Sequence, residues 1–189
     1  MKVPRWYGNP EKRYRTLEMV TKEKISNGRI GKSDLRPIPR FYLLLPSRLE
    51  VKDGEIIEPR APKIVDPVWK GAIDEKTKRV SLFPSVSQAL GSQQDIQEGE
   101  KMTVYEAYNF LPENLTTPST SSSPLSSITG ERWLVGNGVQ IRKVGEIEVG
   151  KIKKKGSIGV GSRGRQVPIV KREWKDLRPT WQKIKNPWK

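Results

Sequence analysis

Residues 41–45 read Phe41-Tyr42-Leu43-Leu44-Leu45, an unbroken apolar run closed by Pro46 and preceded closely by Pro39. A run this short, bounded by residues that lack a backbone donor, reads as a buried strand. It predicts where the core begins. Towards the C-terminus, further strand candidates follow at 64–69 and 79–83, the second alternating Val80 and Leu82 against Arg79, Ser81 and Phe83. Pro59, Pro62 and Pro67 confine the first of these to an edge or an extended connector. Ser85 with Gln88, and Thr103 with Glu106, match the capping box and predict two short helices, 86–90 and 104–111.

Between residues 112 and 127 the chain becomes a Ser/Thr/Pro-rich stretch, which reads as a linker because it holds too little apolar area to build a core. Beyond it the pattern is β. Trp133-Leu134-Val135, Gly136-Asn137-Gly138 and Val139-Gln140-Ile141 form a hairpin signal, since Asn-Gly supplies the positive φ of a tight turn. Short strands are expected to continue at 144–149, 151–153, 157–160 and 166–170, as a meander or small barrel. Towards the N-terminus, Pro4, Pro10, Pro37 and Pro39 block long helices and leave room for one partly amphipathic helix at 14–26, stopped by Asn27-Gly28. The expected fold class is α+β and β-rich, with short helices and extended basic arms. Its organisation is a basic arm at 1–40, a small mixed α/β core region at 41–111, a linker at 112–127, a β-meander at 128–173 and a basic, tryptophan-containing tail at 174–189.

Charge divides the same way. The chain carries a formal +15 over 189 residues; residues 1–50 hold 12 basic and 5 acidic side chains, residues 51–127 hold 8 and 11, and residues 128–189 hold 16 and 5. Two basic ends flank a mildly acidic middle. Such self-repulsion is relieved when a polyanion binds and counterions leave, so RNA, DNA or an anionic membrane surface are the partners it favours. With no cysteine and no histidine, the chain has no disulfide framework, thiol nucleophile, Cys/His zinc site or Ser-His-Asp triad. What remains is carboxylate chemistry. The acids Asp53, Glu55, Glu58, Asp66, Asp74 and Glu75 would need contrasting environments to act as an acid–base pair, and solvated charge is their ordinary state.

Several motifs fail on context. Gly159-Val160-Gly161-Ser162-Arg163-Gly164 spells a dinucleotide fingerprint, but Arg165-Gln166-Val167-Pro168 opens no helix behind it. It reads instead as a basic glycine turn. Gly31-Lys32-Ser33 lacks the upstream glycine of a P-loop, and Asn114-Leu115-Thr116 is a sequon without a secretory signal. No apolar run reaches the roughly 20 residues that span a bilayer, and the first 24 residues contain no signal-peptide apolar core.

The densest basic set is Lys151, Lys153, Lys154, Lys155, Arg163, Arg165, Lys171 and Arg172. If 151–164 is a hairpin, its tip would project Lys153 to Lys155 as a finger suited to a phosphate-lined crevice. Trp174, Trp181 and Trp188 recur at seven-residue intervals among the charges of the tail. Trp174 is expected to pack on protein, and Trp181 and Trp188 to meet the partner by stacking or anchoring. The expected nucleic-acid-binding residues are Arg13, Arg15, Arg142, Lys143, Lys151, Lys153, Lys154, Lys155, Arg163, Arg165, Lys171, Arg172, Trp181, Lys183, Lys185 and Trp188; no catalytic, cofactor or metal residues are expected.

Thr129-Gly130-Glu131-Arg132-Trp133, with Gly136, Gly138, Val139 and Ile141, resembles a short segment of the primate lentiviral infectivity factor, which is also basic and tryptophan-rich. That family's zinc site needs the histidine and cysteine this chain lacks, so the resemblance implies no metal here. The functional expectation is a non-catalytic structural RNA-binding protein of a large ribonucleoprotein, foremost a ribosomal protein and, by its arms and linkers, a mitochondrial one. Its partners would be rRNA and neighbouring proteins, with no cofactor and no small-molecule substrate. It would be soluble and intracellular, in the mitochondrial matrix. The alternative is a viral matrix or accessory adaptor that binds protein partners and anionic membrane.

Overall fold

The computed structural model describes residues 40–49, 51–64, 69–70, 73–93, 95–110, 114–119, 121–160, 164–185 and 188. The expected helix at 14–26, the N-terminal arm up to residue 39, and Arg13, Arg15 and Arg163 lie outside them. The elements in chain order are β1 (Tyr42–Pro46), β2 (Ile56–Ile57), β3 (Val80–Leu82), α1 (Val86–Ser92), β4 (Lys101–Tyr108), β5 (Leu115–Thr116), α2 (Ser126–Thr129), β6 (Arg132–Leu134), β7 (Val139–Val160), β8 (Arg165–Asp176) and α3 (Thr180–Lys185). The fold is mostly β-strand in antiparallel sheets with a few short helices. Among the described residues, neither sheet closes into a barrel.

Strand β1 behaves as its composition requires. Tyr42 and Leu44 enter one hydrophobic core with Met102 and Val104 of β4, while Phe41 and Leu43 enter a second with Tyr105 and Ala107. Alternate side chains of a strand point to opposite faces, so an unbroken apolar run can fill two cores only if both faces are covered. The first face is covered by α1, through Val86, Ala89 and Leu90, and by Trp188. A second, three-stranded sheet, β3-β6-β5, covers the other through Val80, Leu82, Leu134 and Leu115.

Strand β7, 22 residues long, organises the larger sheet. It pairs with β4 along one side, with β2 at Val139 and Gln140, and with β8 from Ile147 onward. A bulge lies where Val104 and Tyr105 of β4 face Gly145 and Lys143, so β7 carries an extra residue, Val144. A one-residue insertion reverses which face each later side chain occupies. Accordingly Val139 and Ile141 lie in the second core and Ile147 and Val149 in the first, although all four share one sequence parity.

Three expectations are corrected here. Where a helix is expected at 104–111, the described residues form strand β4 up to Tyr108, and Val104, Tyr105 and Ala107 fill the two cores as its alternating residues. The Thr103/Glu106 spacing is that of a strand: Glu106 is 1% exposed, and its Oε2 accepts from Arg142 Nη2 at 2.9 Å. The Asn137-Gly138 segment joins no hairpin either; β6 pairs with β3 and β5 in the small sheet, while β7 pairs in the large one. The chain changes sheets there. The segment 112–127 divides nothing into separate units, since β4 before it pairs with β7 after it. Its described part is tied to its own chain, with Ser123, Leu125 and Ser126 buried and Ser123 Oγ donating to Glu131 Oε2 at 2.6 Å. The expected strand at 64–69 falls partly outside the described residues, and Trp69 at its end is buried beside Leu125 and Val167.

The helix expected at 86–90 forms as α1, with Ser85 in extended geometry and its Oγ accepting from the backbone N–H of Gln88 at 3.2 Å. Ser85→Ala should cost about 1 kcal/mol, as loss of an N-cap does, read as a lower urea midpoint at unchanged slope. At Gly145 a Cβ would lie 2.6 Å from Arg178 Cγ and 2.7 Å from Trp188 Cη2. Gly145→Ala should therefore destabilise by about 1–3 kcal/mol through overpacking, and a melting temperature equal to wild type would refute that packing.

Candidate nucleic-acid interface

Beyond the end of β4, β7 and β8 continue as a two-stranded ribbon whose pairing reaches Val160 and Arg165. Between Lys151 and Arg172 the chain holds eight basic residues and no acid. The expected finger is a paired ribbon that runs on to Val160 and Arg165, past Lys153 to Lys155. Lys153 to Lys155 lie along the strand, because 151–153 and 157–160 are parts of one strand rather than separate ones. Two further bulges, between Val149 and Ile152 and between Lys154 and Gly156, let this ribbon bend and twist.

The twist is legible in what β8 buries. Near the tip, Val167 and Ile169 pack with Trp69 and Leu125; near the base, Trp174 packs on the first core and its Nε1 donates to Ser87 Oγ at 3.0 Å. Val167 and Trp174 have opposite parity, so opposite faces of the ribbon meet the protein at its two ends. The faces left over carry the lysines. Lys153 stands directly opposite Lys171, and Lys154 opposite Val170, which puts lysines on both faces. Lys151, Lys153, Lys154, Lys155 and Lys171 are all exposed.

Like charges placed directly opposite on a ribbon destabilise it. Glu173 offsets part of this: its Oε1 accepts from Lys153 Nζ at 2.6 Å. That hydrogen bond, with the charges of Lys153, Lys151 and Lys171, holds the Glu173 carboxyl below the usual range.

Other expected contacts are committed elsewhere. Arg142 neutralises the buried Glu106. Lys143 Nζ donates to Glu146 at 2.7 Å, which raises its pKa. Arg172 Nη1 donates to the carbonyls of Leu90 and Gly91 at 3.1 and 3.4 Å, where the end of α1 leaves acceptors unsatisfied. Burial pushes the Arg172 pKa down. Arg165 and Lys185 are placed in β8 and α3 by their backbone, Lys183 is half-buried, and Trp181 is 60% exposed.

Trp188 requires the clearest correction, because at 2% exposure it has no free face for a base or a partner. It packs 6.1 Å from Trp174 between ring centroids, and the Arg178 guanidinium lies 3.2 Å over it. Arg178 in turn is held by Asp176, Nη2 to Oδ2 at 2.8 Å. Burial pushes the Asp176 carboxyl up, but its hydrogen bonds from Arg178 outweigh this and keep it below the usual range. The sequence carried the spacing of the three tryptophans but no sign that the tail folds back.

Of the middle-segment acids named from sequence, Asp66 lies outside the described residues. Among the described residues, no cluster of three or more metal-ligating side chains occurs. Asp74 closes a turn, accepting from Thr77 Oγ1 at 2.6 Å and from the backbone N–H groups of Lys76 and Thr77 at 2.9 and 3.0 Å. Sequence reasoning missed Glu131, an acid just outside that segment. It is buried, accepts from Trp133 Nε1 at 2.9 Å, and lies near Arg79, which stacks 3.8 Å over the Trp133 ring. No helix of the described residues is long and apolar enough to cross a membrane. Comparison with protein-family models, curated proteins and solved structures yields no match.

Trp188→Ala should cost about 3–5 kcal/mol, as removal of a buried aromatic does, whereas Trp181→Ala should stay within about 0.5 kcal/mol; urea unfolding of both variants separates core from surface. For Asp74, the hydrogen bonds led by the Thr77 hydroxyl lower the pKa from 3.8 to about 2. A depressed acid stabilises fully above its unfolded value and loses that contribution as pH falls through its folded one. Asp74→Asn should thus be less stable than wild type near neutral pH and converge with it towards pH 2 in a series of unfolding curves.

Proposed function

We propose that this protein is a non-catalytic structural RNA-binding component of a large ribonucleoprotein, of the kind found in ribosomes, with the β7-β8 ribbon as its principal RNA contact. The observation that carries the reading is the direct opposition of Lys153 and Lys171, with Lys154 on the other face of the same ribbon. A ribbon charged on both faces suits insertion into a crevice lined by phosphates better than lying flat on one strand. Bound phosphate replaces lysine–lysine repulsion with attraction and releases counterions, so the arrangement is strained alone and relieved in the complex. Trp181, exposed on α3, supplies an aromatic surface for a base or a neighbouring protein. A mitochondrial setting belongs to the same proposal and rests on the basic ends and their proline-rich composition.

The experiment is a salt titration of RNA affinity with the full chain. The affinity should fall linearly on a log–log plot. Alanine at Lys153, Lys154, Lys155 and Lys171 together should weaken binding and reduce the slope by about 0.7–0.9 for each phosphate that is no longer neutralised. A slope unchanged by these substitutions would remove the ribbon from the interface. Retention on anionic vesicles without retention on RNA would favour the adaptor reading instead.

A further inference from the structure

The outer edge of β8, which no described strand covers, provides a second surface that shares Lys171 with the ribbon's lysine faces. Strand β8 hydrogen-bonds to β7 and to no other strand among the described residues, so alternate N–H and C=O groups along it point away from the sheet. The stretch 169–174 borders a cavity of about 880 Å³ whose far wall is built by α1 and α2. Successive residues of both parities line it, which places the cavity along the strand's edge rather than over one face. Its apolar wall includes Leu125, Ile169 and Ile128, and Ile128 remains 49% exposed.

The charges at the rim select the occupant. Glu173 and Asp176 are engaged by Lys153 and Arg178. The lining still holds more cations than acids: Lys171, Arg172, Arg178 and Lys183 stand against Glu173 and Asp176, and of these cations Lys171 is exposed and Lys183 half-buried. We infer that the β8 edge is a docking site for an extended, acidic segment of a partner protein, added as a further antiparallel or parallel strand. Its backbone pairs with 169–174, alternate apolar side chains enter the cavity against Leu125 and Ile128, and its carboxylates face Lys171 and Lys183. Main-chain pairing supplies affinity in this mode, and the alternating pocket supplies specificity. A nucleic acid could satisfy the cations, but it has no repeating donor–acceptor edge for a strand and no side chains for an apolar wall.

The test is selection of displayed random decapeptides against the full chain, followed by affinity and amide-exchange measurements on the enriched peptides. Enriched peptides should alternate apolar and acidic residues and slow exchange at alternate amides of 169–174. Their affinity should drop at least tenfold on N-methylation of alternate peptide nitrogens. Ile128→Asp should also weaken them at least tenfold while leaving RNA affinity unchanged, since Ile128 lies outside the ribbon. Absence of any enriched peptide, peptides whose affinity survives N-methylation, or RNA that displaces them and protects the same amides would each overturn the inference.

Discussion

The extra residue that β7 carries opposite Val104 and Tyr105 is the constraint on which the rest of the molecule depends. It lets one strand serve two cores in succession, with Val139 and Ile141 against the small sheet and Ile147 and Val149 against α1. Without the insertion, side chains of one parity would stay on one face, and Ile147 and Val149 would leave the first core. The bulge also sets Gly145 under Arg178 and Trp188, where the absence of a side chain allows the tail to close. The long strand and the returning tail are consequently one construction.

Burial of charge follows the same logic. Glu106 lies inside the large sheet and is met by Arg142, while Arg178 is met by Asp176 and covers an indole face. Buried ions are tolerated when paired and hydrogen-bonded, and breaking one partner costs more than the pair contributes. Arginine takes these positions because a planar guanidinium can stack and hydrogen-bond at once. Lysine is left for the exposed ribbon. The division separates the cations that hold the fold from those able to meet a partner, and it removes Arg142, Arg172 and Trp188 from the surface that sequence alone suggests.

The proposed division of labour places RNA on the ribbon's lysines and protein on its free edge. These surfaces share Lys171 but differ in chemistry: one is exposed point charge, the other an apolar trough beside a strand edge that no described strand covers. A scaffold element that joins RNA to a neighbour needs both. The acidic middle fits the same picture, since its described carboxylates mainly close turns and ion pairs of their own chain, as Asp74 and Glu100 do.

Much of the fold was legible in the order of residues alone. The run at residues 41–45 pointed to a buried strand, Ser85 with Gln88 to a helix start, and the density of lysine after residue 150 to an exposed basic element. These depend on local composition and period, which act over a few residues. What only the tertiary structure decided were matters of register and return. The pattern Thr103/Glu106 satisfies a helix cap and a strand equally well until Arg142 is brought beside Glu106 from 36 residues away. The Asn-Gly turn could join paired strands or pass between sheets, and the choice is made by which neighbours bury Leu134 and Val139. Trp188 became a core residue because Gly145, far off in sequence, leaves it room. Such outcomes depend on distant partners competing for one buried face, and no local pattern of residues records that competition.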